Sequence, residues 1–556
     1  MIAPEARPRS HVQHGATMST DDASSLLGRT SPPWWASWRF ALGLVVAATV
    51  AKLVYNAWLS PWDLVGDEAY YWQQARHLDW CYNEKGPLLP WMIAASCRLF
   101  GDVEWAVRLP AVLAWGASAW GVGRLAISAS HGDQRVGALA TLLFLLIPAF
   151  QANALICTQD APMILLWIAM TAVGMGIFRR WRNGTQTWVW WLSLYALLGA
   201  GMLLKQSVLT FLPGMAVYWW LDRKSLPLKA AVIWQQVAGV VVLAAMCTPI
   251  VWWNAKHGWP TLEHTLGHLG AGGDQAGRVN KGNPLTWEGG LLGGLLGFFG
   301  PMLPVMAWAT FRTWRDTSSR ACLEYRWIAC SGWFSTVFYA ALALTKPAVA
   351  TWPIPNMAPL VVLAAAVFVP VLCESVPGHH LRRLWRGALA YGLIGAAVTA
   401  YPSPVLRIPA VARAAGKKMF GTFGHAREQG ERLAAVMASA PPGSTGTPLL
   451  LAPNYGLACL ASFYIPGHPP VATRDMRLTN RPSTLGLWSD TDIDDPSHRG
   501  VTLVLLQDHR NDPDWSRVLH ASAIVPSRDP DVLFATNFQG FREPTGEPSL
   551  AARGPR

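Results

Sequence analysis

The sequence predicts an α-helical polytopic membrane protein of about 11–13 transmembrane helices, followed by a small α/β domain outside the cytoplasm. Three observations carry this. Of the 556 residues, 52% are hydrophobic and 14% charged, against roughly 25% charged in soluble domains. Apolar runs of about 18 or more residues, each long enough to cross the hydrocarbon core as a helix, recur between Trp38 and Tyr401. Beyond Pro404 the pattern changes to short apolar runs set among polar residues.

The net charge of +12 does not indicate nucleic acid. The basic residues fall between hydrophobic spans, as topology signals do, and not on one soluble face. Eight cysteines form no CxxC and mostly lie in or beside apolar spans, which reads as buried free thiols and not a disulfide framework. Residues 1–37 are rich in Ser, Pro, Arg and His and lack the apolar core of a cleavable signal peptide. They read as a disordered cytoplasmic tail, with the first span retained in the membrane.

The expected spans are 38–58, 106–128, 135–156, 161–178, 188–204, 207–221, 230–253, 286–310, 324–344, 352–373 and 386–402. Alternate connections carry Arg179, Arg180 and Arg182; Arg223, Lys224 and Lys229; Arg312, Arg315 and Arg320; and Arg382, Arg383 and Arg386. The positive-inside rule places these in the cytoplasm. Loop 59–105, the turn at Thr158-Gln159-Asp160, the turn at Lys205-Gln206, loop 254–285 and the turn at Lys346 then face outward. So does the tail, residues 403–556. The transmembrane region is 38–402.

Loop 59–105 carries more order than a linker. After Asp67, the residues Ala69, Tyr70 or Tyr71, Ala75 and Leu78 recur at helical spacing, as in a helix lying along the interface. Pro87 and Pro90 then precede a second apolar stretch, Leu88 to Phe100, too short for an ordinary span. Trp58, Trp62, Trp72, Trp80 and Trp91 fit an aromatic belt. In the tail, 448–452 and 501–506 read as strands and Tyr455 to Tyr464 as a helix between them.

The chemistry-bearing candidates are Asp67, Glu68, Glu84, Lys85 and Asp160, all assigned to the outer face. Carboxylates beside a bilayer are costly unless paired or working. Each has a plain structural alternative: Asp160 as a helix cap before Pro162, Asp67 as the cap of the interfacial helix, Glu84 and Lys85 as an ordinary ion pair. In favour of function, all three segments meet one membrane boundary. There a carboxylate could accept a proton from an attacking hydroxyl while a lysine neutralises phosphate.

The succession Gly66-Asp67-Glu68-Ala69-Tyr70-Tyr71-Trp72, Lys85-Gly86-Pro87-Leu88, Val107-Arg108-Leu109-Pro110 and Thr158-Gln159-Asp160-Ala161-Pro162 resembles the dolichyl-phosphate-mannose–protein mannosyltransferase-like superfamily, whose bacterial branch includes the aminoarabinose transferases. The tail residues Tyr455 to Ala458, Phe463-Tyr464 and Gly486-Leu487-Trp488 resemble the tails of bacterial members. The resemblance implies a GT-C fold and an inverting transfer of sugar from a polyprenyl-phosphate donor to an envelope acceptor: lipid A, another glycolipid, a glycan or a protein. It makes Asp67 the general base, with Glu68 and Asp160 in the catalytic group. Lys85 and Glu84 become donor-phosphate residues; Arg108 either contacts the phosphate or anchors its helix at the interface, and the anchor is the preferred reading. Gln159 stands where the family often has Pro. Glu84-Lys85-Gly86-Pro87 mixes the patterns of two branches, which leaves sugar and acceptor open.

Loop 254–285 holds His257, His264, His268, Glu263, Asp274, Arg278 and Lys281. His264 and His268 are four apart, able to share a metal on a helix, but spacing fixes no third ligand. The loop reads instead as a cover over bound lipid, with Arg278 or Lys281 on phosphate. Lys346 is a further phosphate candidate, or a snorkelling interfacial lysine. No cofactor is expected, although a divalent metal stays open. The competing functions are a polyprenyl-phosphate-sugar transporter or flippase and a non-catalytic lipid-binding membrane protein. A transporter places charges near mid-bilayer, often in matched halves; here the acids gather at one surface.

Overall fold

The computed structural model describes residues 33–272, 282–315, 322–373, 378–401, 425–478, 483–508 and 512–542. Arg278, Lys281, Asp274 and Arg320 lie outside the described residues, as do 1–32 and the connection 402–424.

Apolar stretches become helices, as backbone in lipid requires when no water can satisfy it. In chain order these are α1 (Trp38–Leu59), α2 (Gly66–Arg76), α3 (Leu88–Phe100), α4 (Glu104–Ala129), α5 (Gln134–Leu146), α6 (Pro148–Ala152), α7 (Asp160–Arg182), α8 (Trp188–Met202), α9 (Phe211–Leu221), α10 (Ala230–His257), α11 (Pro260–Leu269), α12 (Pro284–Phe299), α13 (Met302–Arg315), α14 (Cys322–Ala343), α15 (Ile354–Cys373) and α16 (His379–Ala400). Among the described residues α1, α7, α10 and α15 are long and apolar enough to cross a bilayer by length and composition alone. The α12–α13 pair makes a fifth if it is counted as one bent span. The chain is a multi-pass membrane protein.

Every expected span coincides with helix, but two are broken. The run 135–156 stops at Ile147, before Pro148, and resumes as α6. A proline disfavours helical conformation in the residue before it. The run 286–310 bends by 96° between α12 and α13, where Gly300 takes φ +54° and Pro301 follows. The N-terminal tail also begins its order earlier than expected: Trp34–Ala36 form a 3₁₀ turn and Ala36 is buried. No disulfide joins the eight cysteines.

The tail contains α17 (Ala426–Ala438) and α18 (Tyr455–Tyr464), with strands β1 (Leu449–Ala452), β2 (Val471–Thr473), β3 (Leu503–Leu506), β4 (Leu519–His520), β5 (Ala523–Pro526), β6 (Val532–Thr536) and β7 (Gly540–Phe541). The main sheet runs β2-β1-β3-β6-β5. β1 is parallel to β2 and β3, while β6 is antiparallel to β3 and β5. The all-apolar β1 is buried on both faces, and so is the all-apolar β3 apart from half-buried Leu506, as strands central to a sheet are.

α18 packs against α2, so the tail closes directly over loop 59–105. Gly66 and Gly456 make the contact possible: a Cβ on Gly66 would stand 3.1 Å from the Gly456 Cα. Tyr464 donates to Glu104 at 2.6 Å and accepts from the Leu64 N–H at 2.6 Å. The His77 ring stacks on Trp488 at 4.1 Å and meets Asp490 at 3.1 Å. α2 is therefore covered from Glu68 to Ala75 instead of lying open along the interface. Trp72 is fully buried with its indole N–H on Asp102 at 2.7 Å, which removes it from the expected aromatic belt.

Candidate active site

Helix α2 begins where Glu68 reaches back to the Val65 N–H at 3.0 Å, the N3 half of a capping box. Asp67 is thus not the cap. Consecutive residues on a helix point about 100° apart, and the two acids separate accordingly. Glu68 turns inward and is fully buried, paired with Arg108 through Nε at 2.9 Å and Nη2 at 3.0 Å, and it also accepts the Cys157 N–H at 2.7 Å. Arg108 in turn donates to the Trp62 carbonyl at 3.1 Å and the Asp63 carbonyl at 2.7 Å. Arg108 is 1% exposed, so it is a buried clamp rather than the expected interfacial anchor. This pair ties α2, α4 and the segment before α7 together, and it occupies the Glu68 carboxylate on both oxygens.

Asp67 faces outward and is exposed. The Tyr455 hydroxyl of α18 approaches it at 3.4 Å. One helical turn on, Tyr71 is buried and its hydroxyl accepts from Lys85 Nζ at 2.8 Å. Burial together with the charges of Asp67, Asp160 and Glu84 holds the Tyr71 hydroxyl protonated, well above the usual tyrosine range. Tyr71 is therefore hydrogen-bonded to Lys85 and lies in the field of Asp67, Asp160 and Glu84. Sequence reasoning passed over it as part of an apolar stripe.

Asp160 is the first residue of α7, where an acid favours the helix dipole; the Thr158 hydroxyl accepts its N–H at 3.4 Å, and its side chain meets Lys205 Nζ at 3.3 Å. Lys205 was legible only as a basic residue in an outward turn. The 84–88 segment docks beside it: Leu88 N–H donates to the Leu203 carbonyl at 2.9 Å. Gly86 is required there, because a Cβ would come within 2.3 Å of that carbonyl oxygen.

Glu84 is half-buried, with Tyr70 donating at 2.9 and 3.0 Å to its two oxygens. Burial pushes its carboxyl up, opposed chiefly by His264 and then by the Tyr70 hydrogen bond and Lys85. His264 comes from α11, which is fixed over the loop by Thr261: its hydroxyl donates to the Tyr82 carbonyl at 2.9 Å, and its N–H to Asn254 at 3.1 Å. Helical geometry does bring His264 and His268 together, Nε2 to Nε2, at 3.0 Å. Among the described residues no group of three or more His, Cys, Asp or Glu is arranged to hold a metal ion. Lys346 is buried and donates to the Gly267 carbonyl of α11, which gives it a bracing contact and not a snorkelling position.

Known proteins agree with this architecture. The family model described as dolichyl-phosphate-mannose-protein mannosyltransferase matches residues 84–253, a stretch that holds Glu84, Lys85, Arg108, Asp160 and Lys205. The crystal structure of ArnT from Cupriavidus metallidurans in the apo state superposes with a TM-score of 0.56 over 89% of this chain and 97% of that one, at 16% identity. The chain has the GT-C fold of ArnT. A second ArnT crystal structure, bound to undecaprenyl phosphate, gives a TM-score of 0.55 at 17% identity over 89% of this chain and 98% of that one. The lipid A galacturonosyltransferase RgtD of Rhizobium johnstonii (strain DSM 114642 / LMG 32736 / 3841) is 28% identical over 208 residues, 36% of this chain. That alignment spans 41% of the relative's length.

Proposed function

We propose that the chain is an inverting glycosyltransferase that moves a sugar from a polyprenyl-phosphate donor to an acceptor hydroxyl of the envelope. The reaction is placed at the extracytoplasmic face of a bacterial inner membrane. The observation that carries this reading is the Lys85–Tyr71 hydrogen bond one helical turn from the open Asp67 carboxylate, with the Asp160–Lys205 pair where the 84–88 segment docks on Leu203. RgtD, by its name, acts on lipid A, and one ArnT structure holds undecaprenyl phosphate; both support the choice of a lipid-linked reaction.

In this reading the acceptor oxygen attacks the anomeric carbon from the face opposite the phosphate. Its proton passes to Asp67, whose carboxylate is open to an incoming hydroxyl. The anomeric carbon–oxygen bond breaks, and the electron pair leaves with the polyprenyl phosphate. Lys85, with one ammonium hydrogen on Tyr71, has two more for phosphate oxygens. Asp160 holds Lys205 beside it as a second cation. Glu68 positions the helix through Arg108, and Lys346 holds α11 over the site. Arg278 and Lys281 keep their proposed role on donor phosphate as sequence-based assignments.

The test is Asp67→Asn in the full-length protein reconstituted in nanodiscs. Loss of a general base removes about 10²–10⁴-fold in rate, so transfer should fall by at least about a hundredfold while undecaprenyl phosphate still binds. Transfer at close to the wild-type rate would remove Asp67 from the mechanism. The sugar and acceptor follow from mass differences between envelope glycolipids and glycans made with and without the protein.

A further inference from the structure

Between α2 and the tail runs a chain of hydrogen bonds whose direction can be deduced. The Thr484 N–H donates to the Tyr70 hydroxyl at 2.8 Å. A backbone N–H cannot reverse its role, so one lone pair of Tyr70 is always taken. Gln74 Nε2 donates to Thr484 Oγ1 at 3.2 Å, so the threonine hydrogen must point elsewhere. It has Tyr70 Oη at 2.7 Å and Glu84 Oε2 at 3.4 Å; the nearer oxygen wins, because hydroxyl hydrogen bonds weaken beyond about 3.0 Å. Tyr70 then accepts two bonds and must give its own hydrogen to Glu84, where it lies almost equidistant from both oxygens. Tyr70, Gln74 and Thr484 are 4%, 3% and 0% exposed, so water does not compete. Bonds aligned in one sense polarise one another.

We propose that Thr484 of the C-terminal domain is a positioning residue for Glu84, acting through Tyr70, so that tail docking completes the site. This rests on the reading of loop 59–105 as the active site. The other groups facing Glu84 are Lys85 beside it, Tyr71 on α2, His264 on α11 and Cys459 on α18. None of them supplies a directed hydroxyl that spans both carboxylate oxygens. The chain joins residues 414 apart in sequence, so it exists only when the tail is seated. Burial and Glu84 also keep the Tyr70 hydroxyl well above the usual tyrosine range, and the donor is not lost at working pH.

The experiment compares Tyr70→Phe, Thr484→Val, Thr484→Ser and the Tyr70→Phe/Thr484→Val double variant, all full-length in nanodiscs. Product formation is normalised to folded protein, and undecaprenyl phosphate serves as the binding probe. Removing a hydrogen bond to a charged group is worth about ten- to a hundredfold, so Tyr70→Phe should lower kcat by that factor. Thr484→Val, which keeps its N–H, should lower kcat about three- to tenfold. The double variant should match Tyr70→Phe alone, and Thr484→Ser should restore wild-type kcat. Additive losses, wild-type kcat in Thr484→Val, or failure of Thr484→Ser to restore it would each overturn the relay. The Asp67→Asn result bears on the base assignment separately: a relay without an effective Asp67, or the reverse, tells the two readings apart.

Discussion

Glu68→Gln separates a structural acid from a chemical one. The glutamate carboxylate accepts four hydrogen bonds, two on each oxygen: Arg108 Nε and Cys157 N on Oε1, Arg108 Nη2 and Val65 N on Oε2. A glutamine in the same place has one oxygen and one NH₂. Whichever way the amide is turned, two donors face another donor, and the buried Arg108 loses its counter-charge. Removing one partner of a buried pair costs about 3–5 kcal/mol, a fall of roughly a hundredfold to several thousandfold in the folded-to-unfolded ratio. Replacing both charges, as in Glu68→Leu/Arg108→Met, should recover part of that, since no unpaired ion is left behind. Unfolding equilibrium in lipid bicelles reports the stability, and product formed per folded molecule reports the chemistry. A Glu68→Gln protein as stable as wild type yet unable to transfer sugar would refute the clamp and return Glu68 to the reaction.

The other predictions follow from the same contacts. Gly86→Ala should destabilise by about 1–3 kcal/mol and weaken undecaprenyl phosphate binding, because the added Cβ strikes Leu203 backbone atoms at 2.3–2.8 Å and displaces Lys85; wild-type binding would contradict this docking. Lys205→Met should leave Asp160 without its cation and reduce transfer at least about tenfold, measured against a Lys224→Met control on the opposite side. Stability should depend on pH with two opposing signs. His77 holds Asp490 below the usual carboxylate range, so its contribution is present above the unfolded value and lost as pH falls through the lowered one, below about pH 4. Burial raises Glu84, so its contribution is present below the unfolded value and lost as pH rises through the raised one, above about pH 4. Asp490→Asn should flatten the acid limb and Glu84→Gln the other; unchanged limbs in a denaturation series would count against both assignments.

Orientation bookkeeping from loop charges was enough to put Asp67, Glu84, Lys85 and Asp160 on one side, because positive connections alternate regularly along this chain. It could not rank the two adjacent acids, since the partner that engages Glu68, Arg108, lies 40 residues away. Lys205 was legible as a turn residue and nothing more, because its pairing depends on how α7 and α8 end side by side. Thr484 lies 400 residues from Glu84, beyond any local pattern. The break at Gly300-Pro301 carried a local signal, yet hydrophobicity alone ran straight through it. In the tail, α18 was legible to the residue, whereas the short β2, β5 and β7 have too few residues to show alternation.

Helix α2 shows why amphipathic patterning read it as a helix lying along the interface. Asp67, Tyr70, Tyr71 and Gln74 stand at i, i+3, i+4 and i+7, one face of a helix. This stripe meets Tyr455, Thr484, Glu84 and Lys85. Glu68, Trp72 and Ala75 form another stripe, fastened by Arg108, Asp102 and Phe463. Both faces are covered, so the helix has no lipid-facing side for hydrophobic periodicity to report. Aromatic residues on the reactive stripe serve as hydroxyl donors and acceptors in a dry enclosure, where such bonds are strongest. The clamp on one face fixes the angle at which the other presents Asp67 to the membrane boundary. Rigid anchoring of α2 and tail docking against it together hold Asp67 one helical turn from Tyr71, the partner of Lys85, as the proposed base and phosphate partner require.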